Sequence, residues 1–516
     1  MRKKKILTMI IPLVLTLAMV VSGCSKSAGE PTAGTGVTSP SPKVSAAPTD
    51  ISIMLIQFTP ESLPADNPVL KEIEKRTNTN MKITWVPKNN FDEKVSVTLA
   101  AGDLPDMMQI NSVFAPLVKQ MAKQGLFWDI TPYIKDYKNL SALPKDTWEN
   151  SKIYGKNYGV PRVRPLDGGG GLPMLRMDWL NKLNLKMPET LDELYIVLKA
   201  FAENDPDGNG KADTIPFAGE VTPESMGRLT FVEQVYNGAG TWKLKNGKLV
   251  HTALEPGTRD ALIWLNKAYK EKLLDPDLAI RKSTQTEELI MTGKSGATSG
   301  ALNATWKYAE PLRKTVPEAD IAPVTYLIGP DGKFSIKEGG FAGMFVIPKR
   351  VPEEKMKQIL AFMDYGTSEE GADLANYGFE GVHYTKKDGF INSTEQATKD
   401  MVASNVLGQM FTKFAKYSRA FLTGIPKDMY DRNIKVIDER AKISVSDPAI
   451  GLESETYLKV GKDFDKKLQD LKTKIIIGKE DIAAYDAMVT KLKADTDFQK
   501  IITEMNEAYQ AKNASK

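Results

Sequence analysis

The nine-residue segment DPDGNGKAD, at 205–213, has the residue types and spacing of a site for a hard metal ion. Oxygen ligands stand at loop positions 1, 3, 5, 7 and 9, in order Asp205, Asp207, Asn209, the carbonyl of Lys211, and Asp213, which binds directly or through water. Gly210 occupies position 6, where an EF-hand loop makes its sharp turn. Because Ca²⁺ takes about six to eight oxygens, this pattern predicts a calcium loop.

The segment departs from an EF-hand at position 12, where Pro216 stands in place of the bidentate Glu. We therefore predict a structural calcium site rather than a regulatory one. The alternative is a solvated Asp/Asn/Gly turn that holds no metal. Three carboxylates within nine residues repel one another without a cation, so a calcium site predicts that chelation lowers the melting temperature.

A helix is predicted to position the first residue of this loop. Thr190 and Glu193 have the spacing of a capping box, in which a hydroxyl and a carboxylate satisfy N–H groups at a helix start. Apolar residues then recur at helical spacing, at Leu191, Leu194, Tyr195, Leu198 and Phe201. This stripe predicts a helix that packs on a core and runs into the loop.

Length and composition predict an ordinary globular protein with more than one lobe. A chain of 516 residues exceeds what one hydrophobic core usually supports, and 41% hydrophobic with 26% charged residues is typical of soluble domains. The net charge is +4, but the basic residues 2–5 account for it. No basic surface remains to indicate a nucleic-acid partner.

The N-terminus has the pattern of an export signal. Residues 2–5 are basic, 6–21 are apolar, and Ser22-Gly-Cys24 follows, which resembles the bacterial lipobox. We predict a signal peptide at 1–23, lipidation of Cys24, and a flexible linker at 24–50 that tethers the protein to the outer face of the cell membrane. The alternative is a signal peptide with an incidental cysteine. Cys24 is the single cysteine, which excludes an internal disulfide.

The start of the folded part alternates strand and helix patterns, with strands at 51–56, 81–86 and 107–110 and helices at 68–77 and 91–101. This order predicts parallel strands in an α/β fold. From residue 352 onward helical patterns dominate, which predicts a helix-rich C-terminal part.

Most enzymatic chemistries are excluded by missing residues. The chain has two histidines, no H-E-x-x-H, no G-x-S-x-G and no cysteine in its folded part. The sequence Gly293-Lys-Ser295 lacks the first glycine of a phosphate loop, because Glu288 stands there. Paired carboxylates, as in a glycoside hydrolase, stay open. We predict that the protein is not an enzyme.

Several segments together resemble one known family. They are AGDLPD (101–106), GLFWDITPYI (125–134), YGKNYGVP (154–161), LRMDWLNKLNLKMPETLDEL (175–194), DPDGNGKADTIPF (205–217) and YGFEGVHY (377–384). They resemble the family 1 extracellular solute-binding proteins of sugar-importing ABC transporters, and more closely the large oligosaccharide-binding lipoproteins of Gram-positive bacteria. Tyr485 departs from the pattern, since many relatives carry Trp there.

This resemblance implies a bilobal fold of the periplasmic-binding-protein type II, with two α/β lobes, a crossover hinge and the ligand in the cleft. It places the first lobe at 51–163 plus 296–346 and the second at 164–295 plus 347–516. It implies a monomer that captures an oligosaccharide and delivers it unchanged to an ABC permease. A surface polysaccharide-degrading enzyme and a ligand-presenting partner of a sensor kinase are the alternatives.

Sugar binding needs aromatic faces and planar polar side chains. The aromatic candidates, each of which could instead belong to the core, are Phe114, Trp128, Tyr158, Trp306 and Tyr384. Trp306 is favoured because the resemblance places its segment near the cleft. The polar candidates are Arg162, Arg176, Asp178, Glu380 and His383. Arg176 and Asp178 could instead form an ion pair within one lobe. Arg162 and Arg164 favour an acidic sugar such as a uronate, or else cap helices or pair with Glu380.

Overall fold

The computed structural model describes residues 47–514, apart from 170, 388, 389, 403 and 405. The predicted signal peptide, Cys24 and nearly all of the linker lie outside the described residues. In the described part no helix has the length and apolarity needed to span a bilayer.

The strands have the following bounds: β1 (Thr49–Gln57), β2 (Thr79–Pro87), β3 (Met107–Ile110), β4 (Gly159–Val163), β5 (Pro173–Arg176), β6 (Ile215–Phe217), β7 (Trp242–Lys245), β8 (Lys248–His251), β9 (Ser295–Ser299), β10 (Ile321–Pro323), β11 (Leu327–Gly329), β12 (Gly332–Lys337), β13 (Phe341–Val346), β14 (Tyr384–Lys387), β15 (Phe390–Ser393) and β16 (Ser444–Ser446).

The helices have the following bounds: α1 (Pro68–Thr77), α2 (Phe91–Ala101), α3 (Pro116–Lys123), α4 (Lys138–Ser141), α5 (Lys145–Asn150), α6 (Met177–Lys182), α7 (Leu191–Glu203), α8 (Thr230–Asn237), α9 (Pro256–Lys270), α10 (Ser283–Met291), α11 (Ala304–Leu312), α12 (Glu353–Thr367), α13 (Glu369–Tyr377), α14 (Glu395–Lys399), α15 (Lys427–Ile443), α16 (Lys462–Ile476), α17 (Ile482–Ala494) and α18 (Thr496–Ala514).

The first lobe is built on a five-stranded sheet in the order β2-β1-β3-β13-β4. Strands β1, β2 and β3 are parallel, as predicted, and β13 runs antiparallel to both β3 and β4. The sheet is apolar on both faces: Ile51, Ile53 and Leu55 point to one core, and Met54 and Ile56 to the other. The C-terminal ends of the parallel strands therefore meet at one edge of the lobe.

The second lobe contains a four-stranded sheet in the order β10-β5-β9-β6. Helix α7 packs on its core through Leu194, Leu198 and Phe201, which is the stripe predicted from the sequence. The Thr190 hydroxyl accepts from the N–H of Glu193 at 3.0 Å. The Glu193 carboxylate accepts from the N–H of Glu189 rather than of Thr190, so only the hydroxyl half of the capping box forms as predicted.

The points at which the chain crosses between lobes differ from the predicted boundaries. Strands β9 and β10 pair with β5, so residues 295–323 belong to the second lobe and not the first. The chain returns to the first lobe at β13, and α12 and α13 pack there together with residues up to Phe411. Helices α15 and α16 lie again on the second lobe. The error arose because sheet membership depends on long-range pairing, which local hydrophobic patterns do not encode.

Candidate ligand cleft

A cavity of about 810 Å³ lies between the two lobes. The first lobe contributes the end of β4 and helix α13, and the second lobe contributes α11 and α15. The irregular segment 412–423, which carries the last crossover, forms much of the wall. The volume lies within the range of about 300–1,000 Å³ that ligand pockets occupy.

Aromatic side chains form one wall of this cleft. Phe421 and Tyr430 line it, with ring centroids 6.3 Å apart and planes at 88°. Phe390 packs against both, at 6.5 Å from Phe421 and 5.3 Å from Tyr430. Tyr377 and Tyr417 also line the cavity. Such rings can cover the apolar face of a sugar.

Cationic side chains outnumber acidic ones on the cleft wall. The cations are Arg164, Lys413, Lys416 and Arg419, and the acids are Glu310 and Asp373. Lys413 pairs with Asp373 at 2.7 Å, and Lys416 pairs with Asp438 at 2.7 Å, so both lysine charges are compensated. Arg164 and Arg419, in contrast, form no ion pair with either acid of the wall in the part of the chain that the structure describes.

Both arginines act electrostatically on one half-buried carboxylate, that of Glu338, and Arg419 pairs with it directly. Arg419 Nη2 lies 3.4 Å from Glu338 Oε1, and the Arg419 Nε is buried without a hydrogen-bond partner in the part of the chain that the structure describes. Burial, and then the charge of Arg419, lower the pKa of Arg164 to about 10. Burial raises the pKa of Glu338 despite both arginines. The cluster thus retains positive charge that an anionic ligand could neutralise.

Trp306 lies on the helix that borders this cleft. It is on α11, and Asn303 and Glu310, three positions before and four after it, both line the cavity. Its ring is 8% exposed, and its Nε1 is buried without an acceptor among the described residues. Arg313 lies over the ring at 5.5 Å. Of the predicted aromatic candidates, Trp306 is the one that lies on a helix bordering the cleft, although its ring packs mainly in a hydrophobic core.

Other predicted ligand residues are held inside one lobe. Arg162 donates to the carbonyls of Gln409 (2.8 Å) and Ala342 (2.9 Å), and joins β4 to β13 and the segment after α14. Burial lowers its pKa to about 9. Arg176 donates from Nε to Asp178 Oδ1 at 2.8 Å, which is the intralobe ion pair given above as the alternative.

Three of the predicted aromatic residues belong to the first lobe. Trp128 donates from Nε1 to the carbonyl of Val351 at 2.9 Å, and Tyr158 is buried in the core around α2 and α3. Phe114 is half-buried and contacts Phe341 edge-on at 6.2 Å. None of the three is among the residues that line the interlobe cavity.

The segment 377–384 reaches the cleft through its first residue. Tyr384 lies 6.0 Å from Tyr377, which lines the cavity. Glu380 is engaged by Lys386 at 2.9 Å and not by either arginine of 162 or 164. His383 accepts from the N–H of Phe379 and contacts Asp400 Oδ2 at 2.9 Å, so it orders this loop internally.

The predicted calcium loop forms a tight turn held by hydrogen bonds among its own residues. Gly210 has φ +74°, as position 6 requires. Asn209 donates from Nδ2 to Asp207 Oδ2 (2.8 Å) and Asp213 Oδ1 (3.0 Å), while Asp205 accepts from the N–H groups of Asn209 and Gly210. Burial, and then the neighbouring carboxylates Asp205 and Asp213, raise the pKa of Asp207. Oxygens of Asp and Asn are the donors that a hard cation takes. Among the described residues, however, no three His, Cys, Asp or Glu side chains lie close enough together to hold a metal ion.

Several of these cleft residues were not found from the sequence. Tyr417, Arg419 and Phe421 alternate aromatic and basic side chains in a segment without helix or strand. That alternation was the available signal. The alternation does not indicate that the segment crosses between lobes. The sequence predicted the third crossover near residue 346 instead.

Two α/β lobes joined by crossover segments, with an aromatic and cationic cavity between them, define a two-lobed ligand-binding protein. Residues 59–373 match the family of bacterial extracellular solute-binding proteins, and the chain belongs to this family. It is 33% identical to the lipoprotein LipO of Bacillus subtilis (strain 168), over 99% of both chains.

Two further relatives extend the comparison. The chain is 33% identical to the polygalacturonan/rhamnogalacturonan-binding protein YtcQ of the same organism, over 97% of this chain and 98% of YtcQ. The crystal structure of the alginate-binding protein AlgQ2 without calcium ion superposes with a TM-score of 0.68 at 23% identity, covering 90% of this chain and 99% of AlgQ2. AlgQ2 therefore has the same fold.

Proposed function

We propose that this protein captures an acidic oligosaccharide in the interlobe cleft and delivers it unchanged to the permease of an ABC transporter. The observation that carries the proposal is the arginine pair, Arg164 and Arg419, beside an aromatic wall in a cavity that both lobes form. Membership of the solute-binding family supports the transport role. The relative YtcQ binds polygalacturonan, a polymer of uronic acid, which supports an acidic ligand.

Binding follows from the chemistry of the two walls. Phe421 and Tyr430 cover the apolar face of a pyranose ring, and the arginines bind its carboxylate with paired hydrogen bonds. Closure of the lobes removes water from these contacts and presents a new surface to the permease. No bond of the sugar changes, since the protein acts as a receptor.

The protein acts at the outer face of the membrane through a lipid on Cys24. The basic and apolar leader and the Ser-Gly-Cys sequence support this part of the proposal, as does the similarity to the lipoprotein LipO. The exported chain acts as a monomer. Cys24→Ala is expected to release it into the medium, as immunoblotting of cell and medium fractions would show, and retention of this variant on the membrane would contradict the anchor.

Calcium stabilises the second lobe by binding the loop 205–213. The alternate-position oxygens, the positive φ of Gly210 and the raised pKa of Asp207 support this assignment. Asp205, Asp207, Asn209 and Asp213 would bind through side chains and Lys211 through its carbonyl. When bound, the cation neutralises the carboxylates and takes no part in ligand chemistry, since the loop does not line the cleft.

Isothermal titration with oligogalacturonates of two to six units tests the main proposal. We expect saturable binding to the acidic sugars and much weaker binding to the same oligomers with methyl-esterified carboxylates, which have the same rings without the charge. Chromatography after long incubation is expected to return the sugar intact. Equal affinity for both forms would refute the acidic ligand, and new shorter products would show an enzyme.

A further inference from the structure

A second cavity, of about 290 Å³, lies wholly within the second lobe and away from the cleft. It is enclosed by α8, the β7–β8 hairpin, α16 and α18, and we call it the hairpin cavity. The exposed residues Glu224, Ser225 and Tyr457 lie at its rim. Tyr457 begins a π-helical turn, Tyr457–Gly461, a feature that recurs at functional sites.

His251 lines the hairpin cavity, and its hydrogen bonds can be compared with those of His383, the other histidine of the chain. Each accepts a backbone N–H at Nδ1: His383 from Phe379 at 3.0 Å, and His251 from Ala253 at 3.2 Å. In each neutral ring the proton must therefore sit on Nε2. In His383 this N–H meets the carboxylate of Asp400 at 2.9 Å.

The Nε2–H of His251 has no such partner among the residues that the structure describes, although the residue is only 9% exposed and lines the hairpin cavity. Burial, and then the charge of Lys472, lower the pKa of His251 to about 3, so the ring stays neutral at physiological pH. The imidazole is fixed edge-on between Trp242, at 5.0 Å, and Phe498, at 5.3 Å. The cavity wall thus holds a donor whose ring orientation is fixed by its neighbours.

An acceptor lies in the same cavity. The Tyr457 hydroxyl donates to Asp465 Oδ2 at 2.6 Å, which leaves Oδ1 without a partner in the described part of the chain. Lys472 and Glu233 form an ion pair on the same wall at 2.8 Å, and the paired oxygen, Glu233 Oε1, makes no hydrogen bond in the described part of the chain. Between its aromatic walls the cavity therefore offers the His251 donor and an acceptor on Asp465.

We propose that the hairpin cavity binds a single hydroxylated sugar ring, through the Nε2–H of His251 and the carboxylate of Asp465. A hydroxyl both donates and accepts, so a ligand with several hydroxyls can satisfy both groups at once. The faces of Trp242 and Phe464 suit the apolar side of a pyranose. The volume is at the lower limit of ligand pockets, which excludes an oligosaccharide. This site is separate from the proposed cleft and does not depend on its function.

The test uses the full exported chain with ¹⁵N-labelled histidine, which gives only two sets of imidazole signals. Methyl β-D-glucopyranoside at tens of millimolar is expected to shift the Nε2 signal of His251 and leave that of His383 unchanged. Sorbitol, which has more hydroxyls than the glucoside but no ring face, is expected to shift neither. Equal shifts of both histidines, no shift with the glucoside, or an equal effect of sorbitol would each overturn the proposal.

Substitutions then assign the contacts. Asp465→Asn and His251→Phe, which keeps a ring but removes the donor, are expected to weaken binding of the glucoside about fivefold to tenfold. Asp463→Asn on the exposed face of the same helix is the matched control and is expected to bind normally. Arg419→Met in the cleft is also expected to leave this binding unchanged, so the failure of one site is distinguishable from the failure of the other. An unchanged affinity in Asp465→Asn would refute the assignment.

Discussion

The loop 205–213 brings negative side chains together, whereas the cleft brings two positive side chains, Arg164 and Arg419, together. In the loop, three carboxylates lie within nine consecutive residues. The pKa of Asp207 is raised, whereas the hydrogen bond from the Gly210 N–H lowers that of Asp205. In the cleft, Arg164 and Arg419 lie far apart in sequence. Arg419 pairs with Glu338, Arg164 lies within electrostatic reach of the same carboxylate, and the pKa of Arg164 is lowered. Each region holds like charges together without full internal compensation.

In both regions charge of one sign is concentrated, which supports our proposals that the loop binds a cation and the cleft an anion. The loop obtains its charge from local sequence, whereas the cleft obtains it from tertiary structure. Substitutions that remove one charge at a time test whether the clustered charge in each region binds a ligand of opposite sign.

The largest expected effect is on the cleft. Arg419→Met should weaken binding of an acidic oligosaccharide by roughly 30-fold or more, about 2 kcal/mol, because a desolvated charge loses its partner. Isothermal titration measures this directly. The loop is expected to be unaffected, so calcium should still raise the melting temperature of the variant.

Two controls separate loss of charge from damage to the wall. Arg419→Met leaves Glu338 without its arginine partner, so the double variant Arg419→Met, Glu338→Gln removes that penalty and should still bind far more weakly than the native chain if the charge of Arg419 is what matters. Lys416→Met removes a cleft cation that Asp438 already neutralises, and should lose less affinity. Equal losses in Lys416→Met and Arg419→Met would break the assignment.

The same contrast explains how far the sequence could be interpreted alone. The strand and helix order of the first lobe, helix α7 and the loop after it were predictable, because each depends on residues close in sequence. The family resemblance added the two lobes and the cleft. The wall of the cleft was not predictable, since it combines β4, α11 and the segment 412–423 through the crossovers.

Individual residues show the same limit. Trp128 and Tyr158 stand in turn-rich, aromatic segments, and only their long-range contacts place them in the first-lobe core. Arg162 and Arg164 are two residues apart and had equal standing in the sequence. Gln409 and Ala342, distant in sequence, hold the first of them, while the second lies one residue beyond β4 at the cleft.

Removal of calcium tests the loop half of the comparison. If a cation compensates the carboxylates, EDTA should lower the melting temperature by several degrees, since calcium at a hundredfold excess over its Kd contributes about 2.7 kcal/mol. Scanning calorimetry with calcium and with EDTA measures the difference. Asp207→Asn should abolish most of it, whereas Asp192→Asn, on the first turn of α7, should retain it. An identical melt of the native chain in both conditions would contradict the calcium site.

The smallest effect concerns the carboxylate that the two arginines share. The pKa of Glu338 is raised by burial and by Asp167, against the lowering influence of Arg419 and Arg164, and Arg440 also lies within reach of its charge. A carboxyl with a raised pKa takes up its proton at a higher pH than usual, so mild acidification neutralises Glu338 while the uronate groups of a ligand stay ionised. Affinity for an acidic oligosaccharide should therefore rise a few-fold on acidification from pH 7, before the uronate groups themselves begin to take up protons. Glu338→Gln should bind more tightly at pH 7 and lose this pH dependence, because its side chain is neutral throughout. Titrations at several pH values measure both effects, and an affinity that falls on acidification in both proteins would show that the arginine pair does not hold the carboxylate of the ligand.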